Sequence, residues 1–128
     1  MKYKATKNYV LNKPEAIESY PFGSDVAVFK VKNRMFALLF LKNEVASVNL
    51  KCEPYKAAAL RDIFKAVTPG YHMNKLHWNT VVLDDSIPAA EIRKMIDHSY
   101  ALVVKGLKKV EKNALILAYG EKQIYKAL

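Results

Sequence analysis

The stretch from Val26 to Lys51 limits the fold more than any other part of the chain. "VAVFKV", "MFALLFL" and "VASVNLK" are each rich in β-branched or aromatic residues, and only the polar breaks "KNR" and "KNE" separate them. Breaks so short cannot carry a crossover, so the three segments form an antiparallel meander. In the third, Ala46, Val48 and Leu50 alternate with Ser47, Asn49 and Lys51, which predicts one buried and one solvated face. "MFALLFL" is apolar at both parities, the pattern of a central strand covered on both sides.

Helical patterns flank this meander. Lys2 to Asn12 predicts a short helix that stops before Lys13-Pro14, because a residue preceding proline avoids helical angles. Pro14 to Asp25, containing "YPFGSD", reads as a loop. Glu53-Pro54 opens a second helix, whose apolar stripe of Ala57, Leu60, Ile63, Phe64 and Val67 runs to "TPG" at 68–70. "NTVVLD" reads as a further strand. Ser86 is the expected N-cap of a third helix, with Pro88 in its first turn. That helix turns Ile92, Met95, Ile96, Tyr100, Val103 and Leu107 inward and ends near Gly106. "NALILAYGEKQIYKAL", from about 113, reads as a helical tail weakened at Gly120. The order is α-β-β-β-α-β-β-α plus a C-terminal helical tail. It specifies an α+β two-layer sandwich, an antiparallel β-sheet with helices on one side, in a single domain over 1–128.

Charge bears on partners. Lys and Arg number 21 against 12 Asp and Glu, a formal net charge of +9, which favours polyanions through phosphate contact and counterion release. Lysine also serves simply as a solubilising surface residue. The one dense cluster, "KGLKKVEK" (Lys105 to Lys112), reads as a solvated helix end with its cations at the negative pole. A single cysteine, Cys52, excludes an intramolecular disulfide and fits a reducing compartment. The first residues lack the apolar core of a signal peptide, and the longest apolar run, Met35 to Leu41, is too short for a membrane span. The expectation is a soluble, cytoplasmic monomer with no membrane contact.

The residues able to carry chemistry concentrate in "PGYHMNKLHWNT", 69–80. His72, His77, His98 and Cys52 have no zinc spacing, and neither CxxC nor HExxH occurs, so no metal is expected. Cys52 sits at a helix start, where a dipole can activate a thiol, yet a lone cysteine more often packs as a small hydrophobe. The four glycines are too scattered for a phosphate loop, and Asp84-Asp85 fits turn and cap chemistry. No cofactor and no catalysis are expected. An enzyme using the His72/His77 cluster stays open as an alternative that needs a concave pocket around both rings.

Nucleic-acid binding draws on more residues. Lys30, Lys32 and Arg34 surround the first hairpin turn, and Lys30 and Lys32 share a face if strand geometry persists through it. A basic hairpin of this kind can lie along a phosphate backbone. Lys75 would add a phosphate contact, while Tyr71, His72, His77 and Trp78 offer stacking surfaces. The competing reading makes Tyr71 and Trp78 packing residues of the core or a corner.

"YPFGSDVAVFKVKNRMFALL", "NLKCEP", "PGYHMNKLHWNTVVLDDSIP" and "IDHSYALVVKGL", in that order, resemble the MmcQ/YjbR family of small bacterial proteins. The resemblance spans about Lys2 to Lys112 and is most specific in "GYHMNK" followed by "HWNTV"; "KPEA" lacks the glycine often found there. It implies a fold similar to CyaY and to type III secretion chaperones, an antiparallel sheet flanked by helices. It also implies DNA binding, by analogy of two hairpins with a double wing. One wing would be Val26 to Leu41, bearing Lys30, Lys32 and Arg34; the other would involve Tyr71 to Leu83, bearing Lys75. The expected function is therefore a DNA-binding protein whose basic hairpins contact phosphates with little base readout. The chaperone-like fold implies the alternative of a protein-interaction adaptor, with a protein rather than DNA as partner.

Overall fold

Both breaks in the meander are two-residue turns with positive φ at each central position: 47° and 67° at Lys32-Asn33, 53° and 67° at Asn43-Glu44. That sign pattern marks type I′ hairpins, whose backbone twist matches that of the strands they join. In the computed structural model, which describes residues 1–128, the chain begins with α1 (Tyr3–Leu11), β1 (Ile17–Ser19), β2 (Val26–Val31), β3 (Arg34–Lys42) and β4 (Val45–Lys51). There follow α2 (Pro54–Ile63), β5 (Val67–Pro69), β6 (Trp78–Val82), α3 (Ala89–Lys105), α4 (Lys109–Tyr119) and α5 (Glu121–Ile124). All pairings are antiparallel, in the order β1-β2-β3-β4-β6-β5. The α+β class and the grouping of helices on one face agree with the sequence pattern.

The core lies between the sheet and α1, α3 and the C-terminal helices. Phe29, Leu39, Val48 and Leu50 from the strands meet Ile92, Ile96, Tyr100 and Val104 from α3. Where β2 pairs with β3, the register shifts between Phe29 and Lys30, leaving Phe36 as the extra residue. The bulge sends Phe36 into the helix layer, edge-on to Tyr100 at 5.2 Å. The tail completes this layer: Gly120, at φ 88°, separates α4 from α5, and each helix buries one residue fully, Leu115 and Ile124.

Several boundaries differ from expectation. The segment 14–25 is not all loop, since β1 pairs there with β2 along the sheet edge; three residues are too few for alternation to register. The second helix stops at Ile63, four residues early. Phe64 is extended, Ala66 O accepts from Val82 N–H at 2.9 Å, and Val67 to Pro69 join the edge of β6 as a strand. The apolar spacing of Val67 fits either element, and the open edge of β6 decides. Ser86 is not an N-cap: its own N–H donates to Asp84 Oδ1 at 3.0 Å, and the helix starts at Ala89. The lysine cluster at 105–112 straddles two helices. Lys108, Lys109 and Lys112 lie at the positive pole of α4, with only Lys105 at a C-terminal end.

Four consecutive buried residues of α3 tie the elements together. Asp97 accepts from Lys13 Nζ at 2.7 Å and from Tyr9 OH at 2.8 Å. Ser99 Oγ donates to Phe36 O at 2.6 Å and accepts from Lys51 N–H at 2.9 Å. Tyr100 OH donates to Pro14 O at 2.7 Å. His98 Nδ1 lies 3.0 Å from Ala127 O, and Nε2 accepts from Glu53 N–H at 3.4 Å. That pair of contacts requires a neutral ring protonated on Nδ1.

Burial lowers the His98 pKa from its ordinary 6.5. The unfolded chain therefore takes up this proton at higher pH than the folded one. Stability is full above 6.5 and falls as pH drops from there to the lower folded-state value. Thermal unfolding between pH 7.5 and 5 checks this: the His98→Asn variant should lose that part of the decline, and an unchanged profile would exclude His98 as its source.

Candidate binding cleft on the open sheet face

The side chains that alternate away from the helix layer form the second face of the sheet. Val26, Val28 and Lys30 project there from β2, and Met35, Leu38, Phe40 and Lys42 from β3. Ser47, Asn49 and Lys51 follow from β4, and Trp78 and Thr80 from β6. The outer face of β4 is not solvated as its alternation suggested. Ser47 and Asn49 are each only 3% exposed, and over Asn49 the cover is the β5–β6 connection, residues 70–77, which folds back across the sheet.

This connection is fastened at several points. Asn49 Nδ2 donates to Tyr71 O at 3.0 Å, Thr80 Oγ1 donates to Asn49 Oδ1 at 2.5 Å, and Tyr71 N–H donates to Thr80 Oγ1 at 2.7 Å. Both backbone groups of Tyr71 are thus held by strand side chains. Arg61 reaches across from α2, donating to Asn79 Oδ1 at 2.7 Å and to the Lys75 carbonyl. Gly70 N–H donates to Trp78 O at 2.8 Å. A Cβ at Gly70 would lie 2.7 Å from Trp78 Cβ and 3.1 Å from Met73 Cβ, so the loop approaches β6 as closely as it does only because position 70 has no side chain.

Between the fastened loop and the hairpin runs a cleft of about 340 Å³. Val26, Met35, Leu38 and Phe40 line it from the strands, Tyr71, His72 and Met73 from the 70–77 loop, and Phe22 from the loop before β2. Leu38 packs on Trp78 and Val28 beneath it. At the rim the Lys42 ammonium lies 4.1 Å from the Tyr71 ring centroid, and the Tyr71 ring is 6.1 Å from Phe40 and 4.0 Å from His72. Lys30 and Lys42 take part in none of the protein's ion pairs. His72 holds φ at 59°, in the left-handed region, and its ring makes no hydrogen bond within the protein.

The residues singled out in the sequence separate. Lys30 and Lys32 do not share a face, because strand geometry stops at the type I′ turn. Lys30 alternates with buried Phe29 and Val31 and faces the cleft side. Lys32 pairs with Glu15 at 2.9 Å, and Arg34 stands opposite Val31 on the helix side. The first hairpin therefore splits its cations between two faces, and of the three only Arg34 is both exposed and unpaired. Lys75 Nζ donates to Gly70 O at 3.0 Å, inside its own loop. Trp78 is 9% exposed and packs on Val28 and Leu38, the corner-packing outcome, whereas Tyr71 is 43% exposed. His72 lines the cleft and His77 does not. What sequence reasoning missed was Phe22, Val26, Met35, Leu38, Phe40, Lys42, Asn49 and Met73. The one signal was "MFALLFL", whose second apolar face had to meet something.

The helix-side chemistry is closed. Cys52 is buried, which pushes its thiol up to about 11, and the α2 N-terminus beside it is capped by Glu53 through Tyr55 N–H at 3.1 Å and Lys56 N–H at 3.2 Å. The crevice between Cys52 and His98 holds about 10 Å³, no more than one water. No group of three or more His, Cys, Asp or Glu side chains stands close enough to hold a metal ion, and no helix is long and apolar enough to cross a membrane.

Comparison with known proteins places this architecture. Residues 11–102 match the family model YjbR. The uncharacterised protein YbdF of Escherichia coli O157:H7 is 36% identical over 107 residues, 84% of this chain and 88% of that protein. The uncharacterised protein YjbR of Escherichia coli K12 is 33% identical over 108 residues, 84% and 92% of the two chains. Among solved structures, a Deinococcus radiodurans protein with the family-model domain DUF419 superposes with a TM-score of 0.82 at 34% identity, covering 89% of this chain and 87% of that one. A Pseudomonas syringae protein gives a TM-score of 0.70 at 29% identity, covering 80% and 99%.

Proposed function

The chain belongs to the YjbR family, and from that premise we propose that it binds DNA, in single-stranded form, across the open face of the sheet. One observation carries this reading. Every charged strand residue projecting on that face is a lysine (Lys30, Lys42 and Lys51), and no acid accompanies them. Phosphates are the natural counter-charge for such a surface. The exposed rings of Phe22 and Tyr71 stand on the same side and offer stacking platforms, each worth about 1–3 kcal/mol per base. With Lys32 committed to Glu15 and Lys75 to its own loop, Arg34 is the one hairpin candidate left exposed and unpaired, and a single cation on the other side of the sheet is a poor grip on a duplex groove. Single strands, which wrap aromatic and basic surfaces, fit better.

Fluorescence anisotropy with labelled oligonucleotides at a series of salt concentrations tests this. The triple variant Lys30→Ala/Lys42→Ala/Lys51→Ala should flatten the slope of log K against log salt by about 2, from three lost contacts at about 0.7 each. Arg34→Ala, on the other side of the sheet, should leave the slope in place. Absence of binding to both single-stranded and duplex DNA at low salt would end the reading.

A further inference from the structure

The cleft has a chemistry of its own and shares only Lys42 with the lysines spread over the sheet. We infer that it is a binding pocket for a small amphipathic anion, a compact hydrocarbon or simple aromatic body bearing a carboxylate. Its volume of about 340 Å³ lies at the lower end of the range for small-molecule pockets. The strand side is hydrocarbon and thioether, Val26, Met35 and Leu38 with Phe40 beside them. The one polar strand side chain, Asn49, already has its Nδ2 and Oδ1 in bonds to Tyr71 O and Thr80. A nucleobase seated there would press its ring-edge donors and acceptors against apolar carbon and leave them unpaired. An apolar body incurs no such cost.

The mouth supplies the opposite character. Lys42 parks its ammonium on the Tyr71 face with no carboxylate partner, and none of the nine lining residues is acidic. Beside it His72 presents an imidazole with both nitrogens unused. Its backbone stays at φ 59°, in the left-handed region that residues with a side chain adopt only when the surroundings hold them there. The bonds that fix Tyr71 on both sides hold it there. Charge and hydrogen-bond donors thus converge at one edge of an otherwise oily pocket, which is how an anion with an apolar body is recognised.

The four methionines make the test internal. Met35 and Met73 line the cleft, while Met95 is buried in the helix-side core and Met1 packs against that same core. Titration with naphthalene-2-acetate, followed by the methionine methyl resonances, should shift Met35 and Met73 to saturation and leave Met1 and Met95 in place. The amine with the same ring body should bind at least about tenfold more weakly, a difference of about 1.4 kcal/mol. Lys42→Ala should shrink that preference, and Val26→Phe, with the Met95 resonance unmoved as the check on folding, should abolish binding. Unmoved Met35 and Met73 resonances, equal affinity for the amine, or tighter binding of thymidine would each overturn the inference. Lys42, Phe22 and Tyr71 belong to both surfaces, so the two readings are separated by outcome. Saturable shifts at Met35 and Met73 without salt-dependent oligonucleotide binding would end only the DNA reading, and the reverse pattern only this one.

Discussion

Replacing Asp97 with alanine should cost about 3–5 kcal/mol of stability, the range seen when one partner of a buried ion pair is removed. Lys13 and Asp97 are 9% and 4% exposed and 2.7 Å apart. Without the carboxylate, the ammonium remains in the interior with only the rings of Tyr100 and Tyr9, at 5.2 and 6.0 Å, to face. A desolvated cation–π contact returns about 2 kcal/mol at best. Tyr9 also loses its acceptor. Urea denaturation should show the full loss in Asp97→Ala, and most of the stability should return in Lys13→Met/Asp97→Leu, where no charge is left to strand. A single variant costing under about 1 kcal/mol would show that water reaches Lys13 and that the pair does not hold α1 to α3.

The contrast between what the sequence reveals and what it hides follows from the range of each interaction. The meander was legible because strand alternation and two-residue turns are local: Lys32-Asn33 and Asn43-Glu44 announce themselves between apolar runs. The inward stripe of α3 was legible for the same reason: Ile92, Met95, Ile96, Tyr100 and Val103 are all buried, as is Leu107 just past the helix end. Edge strands were not, because Ile17 to Ser19 and Val67 to Pro69 exist only through partners on β2 and β6. The hub at 97–100 was equally hidden. Asp97 and Ser99 look like solvent residues until Lys13, 84 positions away, and Phe36, 63 positions away, are brought to them.

The cleft was legible only in outline. Two apolar faces on "MFALLFL" required a second cover, but the cover is a polar loop carrying two histidines and a lysine, which composition alone assigns to solvent or chemistry. Lys30 and Lys32 show the same limit in reverse. Two residues apart, they would share a face in a continued strand, and a type I′ turn between them sends one to the cleft side and the other to Glu15. Residue type proposes candidates here, and backbone sign at one or two positions decides which of them meet.

Gly70→Ala is the substitution expected to separate the cleft from the rest of the fold. The added methyl would meet Trp78 Cβ at 2.7 Å and Trp78 O at 3.0 Å. Both atoms belong to β6, which is paired on two sides and cannot retreat as a flexible side chain could. Overpacking of this kind typically costs about 1–3 kcal/mol, and relief comes most easily from the loop side, by lifting 70–77 off the sheet. The Gly70 to Trp78 bond at 2.8 Å and the Tyr71 to Thr80 bond at 2.7 Å would go together. Amide exchange should then accelerate at Gly70 and Tyr71 while α3 stays protected, and naphthalene-2-acetate should lose its effect on Met35 and Met73. Gly106→Ala, where the nearest heavy atom to a new Cβ is 3.6 Å away, supplies the matched control and should leave exchange at Gly70 and Tyr71 unchanged. Protection at Tyr71 that survives Gly70→Ala would mean that the asparagine and threonine bonds hold the loop without the close approach, and that the glycine is not what shapes the cleft.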